Sequence, residues 1–112
     1  MTEKEAIKIK VLKAMSHPAR LRILRVLRAG ALCAGKTNEE VHLSQPNLSQ
    51  HLKVLRESGL LSTAKIGTRS CHYIARPSLV DAILDALDSE HDEIVKTTEQ
   101  VCAEAKGREE GS

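Results

Sequence analysis

Hydrophobic residues recur at helical spacing in four segments of the first sixty positions. The spacing predicts an amphipathic helix over about residues 4–15, a second from Pro18 to just before Gly30, a short third over Thr37–Leu43 and a fourth over about 45–57. Proline in the first turn fits a helix start, because its missing N–H would have no partner there. The apolar positions are Ile7, Val11, Ala14 and Met15; Leu21, Leu24 and Leu27; Val41 and Leu43; and Leu48, Leu52 and Leu55.

A different pattern follows the fourth helix. Leu60–Ile66 and Arg69–Ala75 flank the dipeptide Gly67-Thr68, and Pro77 closes the segment. A two-residue turn with glycine first is typical of a β-hairpin. We therefore predict a hairpin between residues 60 and 75.

From about residue 78 to residue 105, apolar and small positions step by four and three. This heptad pattern predicts one helix about 40 Å long, which a domain of this size cannot cover. The seam is therefore expected to meet the same helix of a second chain, through Val80, Leu84, Leu87, Ile94 and Val101. Residues 106–112 are polar and contain glycine, so they are predicted to form a flexible tail.

Length, composition and charge narrow the class of protein. With 112 residues and 41% hydrophobic content, the chain is expected to form one domain over residues 1–105. The net charge of +2 is unevenly distributed along the chain. Residues 1–77 carry fourteen basic and five acidic residues, whereas residues 78–112 carry three basic and ten acidic residues. This asymmetry indicates that the first part meets a polyanion, although solvated lysines alone could produce it.

Other features exclude several locations and functions. No segment approaches the roughly 18 apolar residues of a membrane span, and no signal peptide is apparent. Three cysteines without a CxxC pair favour a reducing compartment, so we predict a cytoplasmic protein that does not contact membranes. The five histidines form no recognisable catalytic motif, and an enzyme is not expected.

Together, the short helices and the hairpin predict a mainly α fold with a β-hairpin wing, a winged helix-turn-helix. In that fold the helix before the hairpin lies in the DNA major groove, and here the segment Gln45–Arg56 contains no acidic residue. Its polar side chains can donate to base edges and phosphates. They are Gln45, Asn47, Ser49, Gln50, His51 and Lys53.

Three stretches carry a specific resemblance: SHPARLRILRVLRAG, LSQPNLSQHLKVLRESGLL and KIGTRSCHYIA. The chain resembles the ArsR/SmtB family of bacterial transcriptional repressors from about Leu12 to Ala75. The resemblance implies a homodimer built on the first and last helices. It also places Ser44, Gln45, Asn47, Ser49, Gln50 and His51 at DNA-contacting positions, with Lys65, Thr68 and Arg69 on the wing.

The resemblance further implies that an effector releases the protein from DNA, with a thiophilic metal or metalloid ion as one candidate. Cys33 matches the first position of the family's Leu-Cys-Val-Cys motif, but Gly35 replaces the second cysteine. A metalloid such as As(III) requires about three thiolates, so Cys33 alone cannot form that site. A buried small residue is the alternative interpretation of Cys33.

On the last helix, His91 matches a zinc ligand of the family, and Cys102 stands where a second histidine is expected. Ser89 and Ala105 replace the two acidic ligands, so His91 is interpreted first as a polar residue that fixes the helix register. The family's redox sensors carry a cysteine where this chain has Arg25, but Cys33 and Cys102 could form a different dithiol. We interpret Cys71 as a residue that packs within its strand.

Two functions follow from these patterns. The first is a dimeric, sequence-specific DNA-binding repressor that a metal, metalloid or thiol-reactive signal releases from its operator. The second is a winged-helix interaction module whose acidic C-terminal helix docks a protein partner.

Overall fold

The computed structural model describes residues 1–111. In this part of the chain it shows six helices and a three-stranded antiparallel sheet. The elements are α1 (Glu3–Met15), α2 (Pro18–Leu27), β1 (Leu32–Cys33), α3 (Ala34–Val41), α4 (Gln45–Glu57), β2 (Leu61–Ile66), β3 (Arg69–Ile74), α5 (Pro77–Asp88) and α6 (Thr98–Glu110). The four predicted N-terminal helices and the hairpin are confirmed, with α3 beginning three residues earlier than expected.

The core lies where α2, α4 and α5 meet the base of the hairpin. Burying their aliphatic side chains removes apolar surface from water, which is the main stabilising term for a core without large aromatic residues. The fully buried apolar members are Ile23, Leu24 and Leu27 of α2, Val41 of α3, Leu48 and Leu55 of α4, Leu60 before β2, and Val80 and Leu84 of α5.

Strand β1 has no counterpart in the sequence prediction. Its two residues pair with β3, Leu32 with His72 and Cys33 with Cys71, which gives the strand order β1-β3-β2. Two residues are too few to show an alternating pattern, so only the tertiary pairing reveals this strand.

The single helix predicted over residues 78–105 is wrong. Helix α5 ends at Asp88, Ser89 is extended, residues 90–97 are not helical, and α6 begins after Thr97. Thr97 accepts a hydrogen bond from the amide of Gln100, whose side chain accepts from the amide of Thr97. This capping box starts a new helix and interrupts the heptad pattern.

The predicted dimer seam is therefore not a continuous surface. Val80 and Leu84 are fully buried in their own protomer, whereas Leu87, Ile94 and Val101 are exposed. The predicted tail is helical as far as Glu110, where α6 ends, and Ser112 lies outside the described residues. The flexibility of this tail stays a prediction.

Ion pairs join α2 to α5. Arg28 contacts Asp81 and Asp85 at 2.8 Å each, and Arg25 contacts Asp88. All of these side chains are partly exposed to solvent, so each pair adds little stability. The contacts show that acidic charge in the C-terminal part of the chain is directed at arginines of the same protomer.

The turn between α3 and α4 is fixed by one side chain. Asn38 donates to the carbonyl of Leu43 at 2.7 Å and accepts from its amide at 2.8 Å. Between them, His42 adopts the left-handed conformation at φ 58°, which is uncommon for a residue other than glycine. The Asn38 side chain thus sets the angle at which α4 leaves the turn.

Replacing Asn38 with alanine is expected to lower the free energy of unfolding by about 1–3 kcal/mol, because it leaves the part-buried amide and carbonyl of Leu43 without partners. Urea denaturation of the variant and the wild type measures this loss. Exposed Asn47, replaced in the same way, should change stability far less, and an equal loss in both variants would contradict the role of Asn38.

Candidate nucleic-acid interface

Helix α4 presents one polar face to solvent. Leu48, Leu52 and Leu55 are buried, and Gln50 lies about 160° around the helix from Leu52. The other exposed residues of α4 that are predicted to contact DNA are Gln45, Asn47, Ser49 and Lys53. Within Gln45–Arg56 this face carries no negative charge that would repel phosphate.

The N-terminus of α4 is held by its cap. The Ser44 side chain accepts a hydrogen bond from the amide of Asn47 at 3.3 Å, and a proline occupies the first turn. The cap satisfies one of the amides that a helix start leaves without a partner. Ser44 therefore has a structural task in addition to its predicted contact with DNA.

The wing is the β-hairpin formed by β2 and β3. Gly67 adopts φ 64°, which the two-residue turn requires, and Lys65 and Thr68 beside it are exposed. Arg69 is exposed as well, but its Nη2 atom lies 2.8 Å from Sγ of Cys33. Contact with Arg69 lowers the pKa of the Cys33 thiol, and the thiolate in turn raises the pKa of Arg69.

His51 is directed toward α2 and is only partly exposed. Its Nδ1 atom accepts a hydrogen bond from Nε of Arg20 at 3.3 Å, and its ring centroid lies 4.4 Å from that of His17. Burial, together with the charges of His17 and Arg20, lowers the pKa of His51. Arg20 also donates to the carbonyls of Lys13 and Ala14, so this cluster joins α1, α2 and α4.

His72 lies on the inner face of β3 and is almost completely buried. Arg56 approaches its Nε2 atom at 3.4 Å, and no group among the described residues bonds its Nδ1 atom. Burial first, and the positive charge of Arg56 second, lower the pKa of His72. The imidazole is therefore neutral in the folded protein near pH 7.

Acidification is expected to destabilise the fold through His72. Because the folded state binds this proton less readily than the unfolded chain, stability is greatest above the ordinary histidine pKa of about 6.5 and falls as the pH drops toward the lowered folded pKa. The melting temperature should fall less between pH 7.5 and pH 5.5 for His72→Gln than for the wild type. His51, whose pKa is also lowered, should contribute to the fall that remains in the variant. His91→Gln, at an exposed position, is the control, and an unchanged decline in His72→Gln would contradict this assignment.

The candidate effector residues do not meet within one protomer. Cys33 and Cys71 are half-buried neighbours in the sheet, Cys102 is exposed on α6, and His91 is exposed between α5 and α6. Across residues 1–111, no group of three or more Cys, His, Asp or Glu side chains could hold a metal ion. The donors of a single protomer therefore do not fit a three-thiolate metalloid site.

Comparisons with known proteins agree with this geometry. A family model described as "Bacterial regulatory protein, arsR family" matches residues 17–63. The chain is 39% identical over 93 residues to an arsenical resistance operon repressor of Staphylococcus xylosus, covering 83% of this chain and 84% of the relative. The chain belongs to the arsR family of bacterial regulatory proteins, which confirms the resemblance.

Solved structures show the same fold. HlyU from Vibrio cholerae matches with a TM-score of 0.71 at 31% identity, over 80% of this chain and 100% of that chain. The homodimeric winged helix-turn-helix DNA-binding domain Mb0332 from Mycobacterium bovis matches with a TM-score of 0.65 at 24% identity, over 84% and 97% of the two chains. The winged helix-turn-helix prediction is confirmed.

The family and its named relatives are regulators and repressors, which confirms that this chain is not an enzyme. None of the helices in residues 1–111 has the length and apolar character needed to span a membrane.

Proposed function

We propose that the protein is a dimeric transcriptional repressor that reads operator DNA with α4 and positions itself with the wing. The observation that carries the proposal is the exposed polar face of α4, with Gln50 opposite the buried leucines and no acid between Gln45 and Arg56. A regulator that binds bacterial DNA acts in the cytoplasm, so we place the protein there.

The base-reading set differs slightly from the sequence prediction. Gln45, Asn47, Ser49 and Gln50 are exposed and carry groups suited to base edges, and Lys53 suits phosphate. His51 bonds Arg20 and packs against His17, so we assign it to holding α4 against α2. Lys65, Thr68 and Arg69 of the wing complete the surface.

The second subunit is proposed to cover an apolar groove between α1 and α5. The groove has a volume of about 430 Å³ and is lined mainly by aliphatic side chains. Leu12 is 60% exposed and Leu79 39% exposed, although both are large and apolar. Such a surface on two adjacent helices fits a second copy of the chain, since a twofold axis brings the same patch of each subunit together. The lining residues are Ile7, Lys8, Val11, Leu12, Arg76, Leu79 and Ile83.

The competing function, docking of a protein partner through the acidic C-terminal helix, is less well supported. Three acidic residues of α5, Asp81, Asp85 and Asp88, already contact Arg25 and Arg28. Three of the ten acidic residues that suggested a docking surface are therefore paired within the protomer.

We also propose that the releasing signal acts through thiol chemistry. One relative is an arsenical resistance operon repressor, but a single protomer of this chain does not gather three thiolates. A thiol-reactive signal is compatible with the cysteines that the fold does provide.

A matched pair of variants tests the DNA-reading surface. Gln50→Ala should lose about 1–3 kcal/mol of affinity for the cognate operator and little for random duplex, because base contacts specify sequence. Lys65→Ala should weaken both duplexes alike and reduce the salt dependence, because backbone contacts carry no sequence information. Fluorescence anisotropy with both duplexes measures the difference, and an equal loss for Gln50→Ala on both would refute the assignment.

The salt dependence of wild-type binding separates the two functions. Phosphate neutralisation makes DNA affinity fall steeply as salt rises, with a logarithmic slope of about −0.9 per phosphate contact. A slope near zero, or no duplex binding at low salt, would favour the interaction module.

A further inference from the structure

Cys33 and Cys71 lie directly opposite each other in the sheet. The last residue of β1 and the third residue of β3 are partners in the antiparallel register, and both side chains are half-buried free thiols. Cross-strand partners project from the same face of a sheet. The fold therefore brings together two sulfur atoms from distant parts of the sequence.

The hydrogen-bond pattern identifies the kind of pair. The amide of Ala75 donates to the carbonyl of Leu60 at 2.8 Å, so the backbone groups of Ala75 face β2. Alternate residues of a strand bond to the same side, and the β2–β3 register is uninterrupted, so the backbone of Cys71 also faces β2. Cys33 and Cys71 thus form a non-hydrogen-bonded pair.

This pair type suits a disulfide bond. Residues opposite each other at a non-hydrogen-bonded position have Cα atoms about 4.5 Å apart, with their side chains close together. Disulfides join cysteines whose Cα atoms are about 4.4–6.8 Å apart. The two sulfurs can therefore be linked without a large movement of the backbone.

Arg69 prepares one of the two thiols for reaction. Its Nη2 atom lies 2.8 Å from Sγ of Cys33, and this contact is the main cause of the lowered pKa of that thiol. The amide of Lys36 lowers the pKa further, although the thiol makes no regular capping hydrogen bond to α3. The thiolate is the nucleophilic form of cysteine, so Cys33 is the more reactive partner.

A groove gives a small reagent access to the pair. It has a volume of about 310 Å³, and its polar lining includes Lys36 and Arg69 as well as the two cysteines. A second groove of about 470 Å³ is also lined by Cys33 and Arg69. The charge of Arg69 disfavours protonation of the Cys33 thiol, and the grooves leave room for a hydroperoxide.

We propose that Cys33 and Cys71 are a redox-active pair that hydroperoxides oxidise to a disulfide bond within one protomer. The Cys33 thiolate attacks the terminal oxygen of a hydroperoxide ROOH, in which R is hydrogen or an alkyl group. The O–O bond breaks, and the leaving RO⁻ takes a proton from water to become ROH. Cys71 then attacks Sγ of the resulting sulfenic acid, the S–O bond breaks, and the hydroxide leaves with the Cys71 proton as water. Two thiols are oxidised, and one ROOH is reduced to ROH and water.

The reaction also changes the wing. A disulfide sulfur carries no charge, so oxidation removes the thiolate partner of Arg69 and leaves the guanidinium of this wing residue without it. This consequence rests on the proposed DNA-binding function, whereas the disulfide itself does not. The assignment gives Cys71 a chemical role beyond the strand packing expected from its sequence position.

Oxidation of the full-length protein, free of DNA, tests the pair. Reduced wild type and Cys102→Ser are treated with hydrogen peroxide, and tryptic peptides are mapped by mass spectrometry without reduction. Both proteins should lose two hydrogens per chain and yield one cross-linked species joining peptides 29–36 and 70–96. Cys71→Ser should instead accumulate a sulfenic acid on Cys33 that dimedone traps.

Arg69 variants test the activating contact. In Arg69→Met the pH of half-maximal oxidation rate should move upward and the rate at pH 7 should fall several-fold, whereas Arg69→Lys should retain most of the rate because it keeps the charge. An unchanged pH profile in Arg69→Met would contradict the role of Arg69. Loss of the intramolecular cross-link in Cys102→Ser, or oxidation of Cys33 and Cys71 to higher acids without a cross-link, would overturn the proposal.

Discussion

Replacing Leu12 and Leu79 together with aspartate is expected to yield folded monomers that bind operator DNA at least 100-fold more weakly. Both side chains are exposed in the protomer, so the fold should tolerate the change, but a second subunit that covers the groove between α1 and α5 would remove the new carboxylates from water. A monomer loses the second DNA-reading head, and linked binding typically contributes about 10²–10⁴ in affinity. Sedimentation equilibrium and anisotropy measure the two effects.

Ile94→Asp is the matched control for this prediction. Ile94 is 79% exposed in the segment between α5 and α6, away from the groove, so its replacement should leave both the dimer and DNA binding intact. An intact dimer in the Leu12/Leu79 variant, or dissociation of Ile94→Asp, would show that the subunits meet elsewhere.

Leu84→Asp is expected to unfold the protomer itself. Leu84 is fully buried in the core, and an unpaired carboxylate there, together with the lost apolar contacts, costs more than about 4 kcal/mol. That is a large part of the 5–15 kcal/mol by which a domain is usually stable. Leu87→Asp, only three residues later but 55% exposed, should keep the wild-type circular dichroism spectrum and melting temperature within a few degrees.

The Leu84→Asp and Leu87→Asp variants distinguish an α5 that packs in its own protomer from an α5 that packs against a second chain. If Leu84 faced a second chain rather than its own core, Leu84→Asp would give a folded monomer with native helix content. That result would restore the heptad seam and contradict the buried position of α5.

The elements that sequence predicts well are those set by local interactions. Apolar residues three and four positions apart, with Pro18 and Pro46 in the first turns, place α2 and α4 within a residue or two. The Gly67-Thr68 turn fixes the hairpin register in the same way. These signals act within one or two turns of chain, so they are readable without knowledge of the tertiary fold.

In residues 78–105 the heptad pattern of apolar residues gives the wrong prediction. A heptad step is equally compatible with a helix facing a partner and with one facing its own core, and Val80 and Leu84 take the second option. The capping box of Thr97 and Gln100 is a local signal that could have revealed the break before α6. It is obscured because Thr98 and Val101 continue the heptad step.

Only part of the candidate site can be predicted from local sequence patterns. The outward face of α4 follows directly from the spacing of its leucines, whereas the inward direction of His51 depends on Arg20 of α2 and on His17, the N-cap residue of α2. The pairing of Cys33 with Cys71 depends on the two-residue strand β1. Contacts of this kind arise only when distant segments assemble, so no local pattern predicts them.

A hydroxyl-radical footprint of the wild-type protein on its own promoter tests whether two copies of α4 read DNA together. Paired helices related by a twofold axis must enter major grooves on one side of the duplex. We expect two protected half-sites in a near-palindrome, with centres about 10–10.5 base pairs apart or a multiple of that distance. Protection of a single asymmetric half-site would contradict it.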